Sequence, residues 1–593
     1  MDGQPMGAPG WHSPEPGGLR SRGRVVRASL GEVLPSPPRT TVMVDAWIQL
    51  LRAEASKPWT FLELGFWVFF TFVLVGFAAL ERKIALRNAY LMLASWFFYY
   101  HTSQWYVVLL IFTTAVDYGV GHALHRTSRT ALRKLLLGIS IVSNLGVLFF
   151  FKYAYFAADV WNDLTGFAWN PQPFWAGWSN AHLGTDFVED VILLPVGISF
   201  YTFQCLSYTV DIYRRQLDPV RRFSDFAFYV SFFPQLVAGP IVRASDFVSQ
   251  LYQPYTVTRA QFGLGLFWVV NGFLKKVILA DFLAVHLVDR VFSQPTLYTG
   301  WENTLALFAY TMQVYADFSG YTDIAIGIAL WMGFTLAKNF NSPYKARSVA
   351  EFWKRWHMSL SSWLKDYLYI PLGGNRSGST ASYVLIFAGL FGLAWWAPNS
   401  WVSYALAALV LVFLVMYQFI PAFRRGFNTN VNLLLTMLLG GLWHGASWNF
   451  VVWGGLNGLG LVSYKLWSRV RPYRVEGWLI RGLGVALTLV FITFTRIWFR
   501  APDWDTAMAM LDQLRTAWEL APSLAMLHAW WRPALVLSVG FGIHWIPERY
   551  KEQYRVRFAQ LHPVLWGLAG VMVVLLAYQF MAAESQPFIY FQF

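Results

Sequence analysis

The sequence predicts an all-α polytopic membrane protein, and two observations carry this prediction. Hydrophobic residues make up 56% of the chain and charged residues only 13%, whereas soluble globular domains carry roughly 25% charged residues. Several stretches are apolar on all sides and long enough to cross a hydrocarbon core, which takes roughly 20 helical residues. Strands of a membrane barrel would instead alternate apolar and polar side chains. The clearest stretches are 61–80, 105–124, 135–156, 479–498 and 564–581.

The distribution of charge predicts how the spans are oriented. Weaker apolar stretches bring the expected total to roughly a dozen crossings or re-entrant segments. The formal net charge is +14, but Lys and Arg fall in short loops, where anionic membrane lipids explain them better than nucleic acid does. By the positive-inside rule we expect these loops to face the cytoplasm. The basic loops are 82–83, 126–134, 214–222, 465–474 and 549–557.

The chain is expected to divide into an N-terminal extension and one membrane domain. Residues 1–42 are rich in Gly, Pro, Ser and Arg and lack a long apolar run, so we predict a disordered extension. No signal-peptide core precedes residue 60, and the first span would then serve as an uncleaved insertion signal. Alternatively, translation starts at Met43, where an amphipathic helix begins. The membrane domain is expected to occupy residues 43–593.

The region between about residues 187 and 448 differs from the plain spans around it. Its apolar helices contain polar residues, Pro and Gly, which are costly in lipid unless they are satisfied internally. We therefore expect broken or re-entrant helices around a water-accessible cavity. After residue 478 the pattern returns to plain spans, with one soluble amphipathic helix near residues 503–518. The interrupting residues are Pro195-Val196-Gly197, Pro234-Gln235, Gly239-Pro240, Asp317-Phe318-Ser319-Gly320, Asp323, His357, His444 and Asn449.

Two of the eleven histidines, both in this polar region, differ from the others. His444 lies in a run of apolar and small residues, where a histidine is more often a hydrogen-bonded packing residue. His357 lies in a basic, Trp-rich helix suited to the membrane interface, so a headgroup-binding face explains it about equally well. Together they suggest acid–base chemistry, because only imidazole has an unperturbed pKa near neutrality, about 6.5.

Other catalytic systems find little support. The sequence has no glycine-rich phosphate loop, no paired-cysteine site and no His-Glu-x-x-His helix, so we expect no metal. The single cysteine, Cys205, is expected to be buried and inert, and it excludes an intramolecular disulfide. The turn Gly373-Gly374-Asn375-Arg376 is interpreted as a helix C-terminal cap.

Several blocks, taken in order, resemble the membrane-bound O-acyltransferase (MBOAT) family, and within it the bacterial alginate O-acetyltransferase-like branch. The resemblance covers nearly all of the chain after residue 60. Any single block would be weak, but their number and order make chance implausible. The blocks are Leu194-Pro195-Val196-Gly197-Ile198-Ser199-Phe200 with Asp211-Ile212-Tyr213, then residues 232–241, 315–323, 353–374, 434–448 and 587–593.

The resemblance implies a ring of transmembrane helices with re-entrant segments around a central funnel. His444 matches a family histidine deep in the funnel and His357 a second polar position, which reverses the local interpretation of His444. Both are therefore candidate catalytic residues. A neutral imidazole can take the proton of an alcohol that attacks a thioester carbonyl, and an acyl-histidine intermediate stays open as an alternative. The expected substrate-binding residues are Trp443, Asn449, Asp317, Ser319, Gln235 and Trp353.

The expected function is O-acylation of an extracytoplasmic polysaccharide. The resemblance implies no bound cofactor but a cytoplasmic acyl thioester, acetyl-CoA or acyl carrier protein, as co-substrate. The acyl group, expected to be acetyl, would reach the polymer directly or through an extracytoplasmic acyltransferase partner. Alternatives are D-alanyl-type transfer to a cell-wall polymer, a scaffold for polymer export, or a carrier or flippase for a lipid-linked saccharide. Asp317 and Asp323 are the best support for a carrier.

One feature departs from the family pattern. Relatives join the Gly-Gly-Asn-Arg turn to the histidine-bearing helix by a short link, whereas here His357 and His444 are 444 − 357 = 87 positions apart. The excess contains two apolar runs, 383–396 and 402–420. We therefore predict an inserted helical hairpin, at about 378–428, that preserves the topology.

Overall fold

All regular secondary structure in the described residues is helical, which confirms the predicted fold class. The computed structural model describes residues 59–173, 175–189, 191–236, 239–395, 400–470, 477–518 and 523–580. The predicted extension at 1–42, the expected helix start at Met43 and the terminal block 587–593 lie outside the described residues.

The helices follow one another through short connections. They are α1 (Leu64–Leu80), α2 (Ile84–Ser103), α3 (Val107–Arg126), α4 (Thr130–Leu148), α5 (Ala154–Thr165), α6 (Ala176–Leu183), α7 (Ile198–Tyr213), α8 (Phe223–Ser231), α9 (Phe233–Leu236), α10 (Ala244–Phe247), α11 (Arg259–Leu274), α12 (Asp289–Ser293), α13 (Gly300–Trp331), α14 (Val349–Trp353), α15 (Met358–Trp363), α16 (Thr380–Trp395), α17 (Ser400–Phe419), α18 (Pro421–His444), α19 (Trp448–Val470), α20 (Trp478–Arg500), α21 (Trp504–Thr516), α22 (Leu524–Trp545), α23 (Glu548–Ala559) and α24 (Pro563–Phe580). Short 3₁₀ turns lie at Gln104–Tyr106, Val248–Tyr252, Pro295–Leu297 and Pro343–Lys345, and π-helical stretches at Phe149–Tyr153, Lys275–Asp281, Ala284–Val288 and Leu364–Tyr369.

Several helices are suited to crossing a membrane. Within the described ranges, five continuous helices are long and apolar enough, and the end of α17 together with α18, bent by 112°, adds a sixth candidate. Four of the five predicted apolar stretches fall in these helices, and the first forms the 17-residue α1. The chain is therefore a multi-pass membrane protein. The five continuous helices are Ile84–Arg126, Thr130–Thr165, Arg259–Ser293, Trp478–Arg500 and Pro563–Phe580.

The central helix α13 shows why this count is lower than the predicted dozen. It has 32 residues, about 48 Å at 1.5 Å per residue, which is enough to cross a bilayer. Its buried positions include Asn303, Asp317 and Thr322. Because these polar side chains lie inside the protein, the helix is less apolar than a span that faces lipid. The ring and funnel implied by the resemblance stay predictions.

The helix that ends at His444 packs tightly against the next one. A Cβ atom at Gly441 of α18 would collide with the carbonyl oxygen of Phe450, and one at Gly454 of α19 with that of Met437. Small residues let helix backbones approach this closely, which is how many membrane helices associate. The contact holds the end of α18 in place from one side.

The predicted hairpin contains two helices, α16 and α17, and its link at residues 396–399 lies outside the described residues. Tyr417 donates a hydrogen bond to Asn428 Oδ1 (2.7 Å), and Ser382 donates one to Asn432 Oδ1 (2.6 Å). Both acceptors lie on α18, well before His444. The hairpin is thus attached to α18 away from the histidine.

Two predicted local structures are present. Gly373 and Gly374 have positive φ angles of 111° and 54° just after a helical stretch, as expected of a C-terminal cap. The amphipathic helix expected near residues 503–518 is α21, whose first turn is capped by the Asp503 carboxylate accepting from the Thr506 N–H at 2.7 Å.

Candidate functional site

His444 is the last residue of α18, and a neighbouring span binds the end of that helix. The last carbonyls of a helix have no partner within it. Here Lys152 Nζ donates to the carbonyl oxygens of Trp443 (2.7 Å) and His444 (3.0 Å), and the Tyr153 hydroxyl donates to that of Leu442 (3.0 Å). A cation at a helix C-terminus also complements the helix dipole. The backbone that carries His444 is therefore fixed by side chains of another span.

Aromatic rings surround the His444 imidazole, whose residue is 3% exposed. Its ring centre lies 4.9 Å from that of Trp443, 5.1 Å from Trp453 and 5.3 Å from Phe499. The interplanar angles are 78°, 87° and 70°, so each contact is edge to face. Because the rings come from α18, α19 and α20, three helices together define where this imidazole lies.

The second histidine, His357, is fully buried and has an uncommon backbone conformation. Its φ of 43° and ψ of 55° lie in the left-handed region, which few residues other than Gly adopt. The Met358 N–H donates to the Asn339 carbonyl oxygen at 2.9 Å and holds the turn. Such conformations persist where the surrounding structure imposes them, and they are frequent at functional sites.

Asn339 also determines which nitrogen of His357 carries the proton. Its Oδ1 accepts from the Ser359 backbone N–H (3.2 Å) and hydroxyl (2.9 Å), and it lies 3.2 Å from His357 Nδ1. Because a carbonyl oxygen can only accept, Nδ1 is the donor, and Nε2 is the basic nitrogen of the neutral ring. Asn339 therefore orients His357 as a base or proton relay through Nε2.

Trp443 brings the two histidines together. Its ring centre lies 4.9 Å from that of His444 and 6.2 Å from that of His357, and its other neighbours include Phe203, stacked at 5.3 Å. We use the name histidine chamber for the site formed by His357, His444, Trp443, Trp453 and Phe499. Residues 87 positions apart in sequence thus share one buried site.

Trp353 lies at the edge of the histidine chamber. Its ring centre is 5.8 Å from that of Trp453, which in turn contacts His444. The indole Nε1 of Trp353 is buried and has no hydrogen-bond partner among the described residues. A buried N–H of this kind can donate to a substrate, and the binding role of Trp353 stays a prediction.

Two other predicted binding residues hold the backbone of neighbouring segments. Both hydrogen bonds from Asn449 Nδ2 go to carbonyl oxygens that follow α20, those of Ala501 (3.1 Å) and Asp503 (3.0 Å). Gln235 Nε2 donates to the Tyr229 carbonyl oxygen at 2.7 Å. Both amide N–H groups of Asn449 are therefore engaged by the protein itself, whereas Gln235 uses one of its two. Their roles in substrate binding stay predictions.

Asp317 lies in a group of paired charges. Lys276 Nζ lies 2.8 Å from Asp317 Oδ1 and 2.7 Å from Asp281 Oδ1. On the adjacent position, Lys275 Nζ lies 2.6 Å from Asp323 Oδ2. We refer to these five residues as the charge cluster. It joins α13 to the π-helical continuation of α11, so Asp317 neutralises a lysine here and is not part of the histidine chamber.

A cavity of about 1040 Å³ runs between α11, α13, α22 and α23. Ser319 and Asn339 line it, so it reaches the residue that orients His357. Its walls are largely apolar, but four cationic and two acidic side chains also line it, among them Lys551 and Arg555 of α23. Burial and the neighbouring Lys345 lower the pKa of Lys551 to about 8. We refer to this space as the basic cavity.

Sequence reasoning missed two cations beside the histidine chamber, Lys152 and Arg496. Both lie in stretches interpreted as plain spans. Arg496 is 2% exposed, and its guanidinium carbon lies 4.7 Å from the ring centre of Trp356 and 5.1 Å from that of Phe499. The signal was the charge itself, because an ionisable residue inside a span is a functional candidate by default. The plain-span interpretation of 479–498 therefore overlooked its most informative residue.

Comparisons with known proteins identify the family. Residues 218–424 match the membrane-bound O-acyltransferase family. The protein named "Probable alginate O-acetylase" of Pseudomonas aeruginosa is 37% identical over 443 residues, covering 73% of this chain and 71% of that protein. The chain belongs to the membrane-bound O-acyltransferase family. The "Peptidoglycan O-acetyltransferase" of Helicobacter pylori is 32% identical, covering 74% of this chain and 77% of that protein. The "Teichoic acid D-alanyltransferase" of Bacillus subtilis is 24% identical, covering 51% and 67%.

As a member of this family the chain is a membrane O-acyltransferase, and the resemblance seen in its sequence blocks is confirmed. The segment matched by the family includes His357 and ends 444 − 424 = 20 positions before His444. O-acyl transfer requires a base for the attacking hydroxyl and donors for the carbonyl oxygen. The histidine chamber contains two imidazoles and, at its edge, the Trp353 N–H, which has no hydrogen-bond partner in the part of the chain that the structure describes.

Proposed function

We propose that this O-acyltransferase moves an acetyl group from a cytoplasmic thioester to a hydroxyl that serves O-acylation of an extracytoplasmic polysaccharide, in a bacterial cytoplasmic membrane. One observation carries the proposal: two buried histidines flank the Trp443 ring at the end of a helix whose last carbonyls are bound by Lys152. Proton transfer needs imidazoles in this kind of fixed, water-poor position.

The proposed chemistry takes place in the histidine chamber. The His444 imidazole accepts the proton of the acceptor hydroxyl while the hydroxyl oxygen bonds to the thioester carbonyl carbon. The carbonyl electron pair moves onto its oxygen and returns as the carbon–sulfur bond breaks. The leaving thiolate then receives the proton from His444. His357 supplies a second basic nitrogen, and the Trp353 N–H is a candidate donor to the carbonyl oxygen. An acyl-histidine route stays the alternative.

The basic cavity supports a thioester donor with a long phosphate-bearing arm. Its apolar walls suit the chain of a pantetheine-type arm, and Lys338, Lys551 and Arg555 would attract phosphate. Residues 549–557, which lie in α23, form one of the basic segments predicted to face the cytoplasm. Asn339 lines the same cavity, and its Oδ1 lies 3.2 Å from His357 Nδ1. The donor would therefore enter from the cytoplasm, as coenzyme A or a carrier protein, and place its thioester near the histidines.

The relatives favour acetyl transfer to a polysaccharide. The two named as O-acetylases of alginate and peptidoglycan are 37% and 32% identical and match more than 70% of this chain, whereas the D-alanyltransferase is 24% identical and matches 51%. We further propose that an extracytoplasmic acyltransferase partner completes the transfer. Residues 166–197 follow the span that begins at the basic segment 126–134, so the positive-inside rule places them outside. In this connection the described residues form only the short helix α6. That segment offers little surface to hold a polymer.

Reconstitution tests this function. The purified chain is placed in liposomes with acetyl thioester inside and polysaccharide outside, and free thiol and polymer-bound acetyl are measured. The proposal expects thiol release that depends on His444 and polymer acetylation that depends on an added partner protein. Efficient acetylation without a partner would refute the relay but keep direct transfer. Saccharide transport with no thiol release would favour a carrier and refute acyl transfer.

A further inference from the structure

Arg496 lies between an aromatic ring that contacts His444 and the ring of the residue that precedes His357. Its guanidinium carbon is 5.1 Å from the ring centre of Phe499, and that ring lies 5.3 Å from the His444 ring. On its other side the guanidinium carbon is 4.7 Å from the ring centre of Trp356, the residue before His357. The cation is also close enough to interact electrostatically with His444.

The guanidinium has no carboxylate partner among the described residues, although Arg496 is 2% exposed. Its Nε has no hydrogen-bond partner there, and the Tyr344 hydroxyl is a polar neighbour. Arg500, one turn later on the same helix, is different: its guanidinium lies 2.7 Å from Asp289 Oδ1. A buried charge without a counter-ion is destabilising, and contact with aromatic rings compensates only part of this cost. A buried cation at Arg496 is explained if an anion forms beside the guanidinium during the reaction.

We infer that Arg496 binds the negatively charged oxygen that forms on the donor carbonyl during acyl transfer. The inference rests on the proposed function. When the acceptor oxygen bonds to the thioester carbon, the carbonyl electron pair moves onto oxygen, and the guanidinium N–H groups donate to it. When the carbon–sulfur bond breaks, the pair returns and the thiolate takes the proton held by His444. Arg496 keeps its own proton throughout.

A preformed cation in a dry site is suited to this role. Donors fixed before the reaction need no reorganisation as charge develops, and a charged donor gives a stronger hydrogen bond than a neutral one. A carboxylate on the acceptor is the other anion that could pair with Arg496. The position between Trp356 and Phe499, whose ring contacts that of His444, favours the oxyanion.

The test compares Arg496→Met and Arg496→Lys with the matched variant Arg500→Met in the reconstituted full chain. Thiol release is measured with saturating donor and with water or glycerol as an uncharged acceptor, together with donor KM and thermal unfolding. For Arg496→Met we expect kcat to fall about 100-fold or more while donor KM stays within about threefold. Its Tm should stay unchanged or rise, because an uncompensated charge is removed. Arg496→Lys should recover part of kcat.

Arg500→Met should show the opposite pattern, a lower Tm because Asp289 loses its partner, with kcat of the folded protein within about threefold of wild type. The inference is overturned if Arg496→Met keeps more than about a third of wild-type kcat. It is also overturned if that variant loses Tm as Arg500→Met does, or if only transfer to an acidic polymer is lost while thiol release to water or glycerol persists. If wild type itself releases no thiol, the proposed function fails and this inference with it.

Discussion

The charge cluster and the histidine chamber are both polar and buried among apolar helices, but they differ in whether their cations have carboxylate partners. In the charge cluster, Lys276 is paired with two carboxylates, those of Asp281 and Asp317. Beside the histidine chamber, the cations Lys152 and Arg496 have no carboxylate partner among the described residues. Lys152 is satisfied by carbonyl oxygens instead. In one region every cation is paired with a carboxylate, and the other carries positive charge next to its imidazoles.

The presence or absence of a carboxylate partner separates buried charges that stabilise the fold from those that are candidates for catalysis. Removing one member of a cluster of paired charges leaves a charge without its partner, which typically costs about 3–5 kcal/mol of stability. A region with excess charge gains its counter-ion only when a ligand or a reaction supplies one. Asp317 is conspicuous in the sequence yet belongs to the first kind, whereas Arg496, which sequence reasoning passed over, belongs to the second.

The largest effect should follow from removing the proposed base. His444→Ala should reduce acyl transfer by at least about 100-fold, because general-base catalysis contributes that much or more. The folded protein should persist, since the change leaves only a small void among aromatic rings. Thiol release per folded molecule is the measurement, and the exposed His528 is the matched control. Equal losses in His444→Ala and His528→Ala would show that the assay reports stability.

His357→Ala should have the next largest effect, a loss of about 10- to 100-fold in kcat. It removes the second imidazole but leaves His444 in place. His357→Asn separates chemistry from backbone strain, because Asn tolerates the left-handed conformation that His357 adopts. We expect His357→Asn to unfold at the wild-type temperature or above and to remain as impaired as His357→Ala. Recovery of activity in His357→Asn would mean that the residue acts through the turn alone.

Substitutions in the charge cluster should lower the stability of the protein and leave its activity nearly unchanged. Lys276→Met leaves two buried carboxylates without their cation, so we expect a loss of about 3–5 kcal/mol in the free energy of unfolding. Activity per folded molecule should be close to wild type. Adding Asp281→Asn and Asp317→Asn should restore part of the stability, because both stranded charges are then removed. An unchanged Tm together with lost activity would instead place Lys276 in the reaction.

The pH dependence of the donor KM tests whether the basic cavity binds the donor. The pKa of Lys551 is lowered to about 8 by burial and by Lys345, so this cation is lost as the pH rises through about 8. If Lys551 binds a donor phosphate, donor KM should rise a few-fold between pH 7 and 9. In Lys551→Met the KM should be raised at all pH values and lose this rise. A KM that rises equally in the variant would exclude Lys551 as its cause.

Much of the fold was predictable because helix length and hydropathy are local properties. Four predicted stretches fall in candidate spans, and both hairpin helices lie where their apolar runs do. The two candidate catalytic histidines were predicted from the sequence blocks that resemble the family. Arg496 was missed because averaging over a long apolar stretch hides one charge. The hydrogen bonds of Asn449 to the segment after α20 depend on how distant helices rotate and pack, which helices apolar on all sides do not reveal.

The smallest effect is expected at Cys205. It is fully buried in α7, where its thiol neighbours Asp117, so we expect the thiol to be inert and to carry no acyl group. Cys205→Ser should keep most of the wild-type rate of thiol release. A stable acyl adduct found on Cys205 by mass spectrometry would contradict this expectation and bring covalent catalysis through sulfur into the mechanism.

The most direct test of the central claim is a single-turnover measurement on wild type and His444→Ala, with isotopically labelled acetyl thioester and a hydroxyl acceptor. Free thiol and new acetyl ester are followed in the same sample. The account predicts that in wild type one ester appears for each thiol released, apart from acetyl lost to water, and that neither product appears in the variant above the uncatalysed rate. Ester formation at the wild-type rate in His444→Ala would contradict the claim that the histidine chamber performs the transfer.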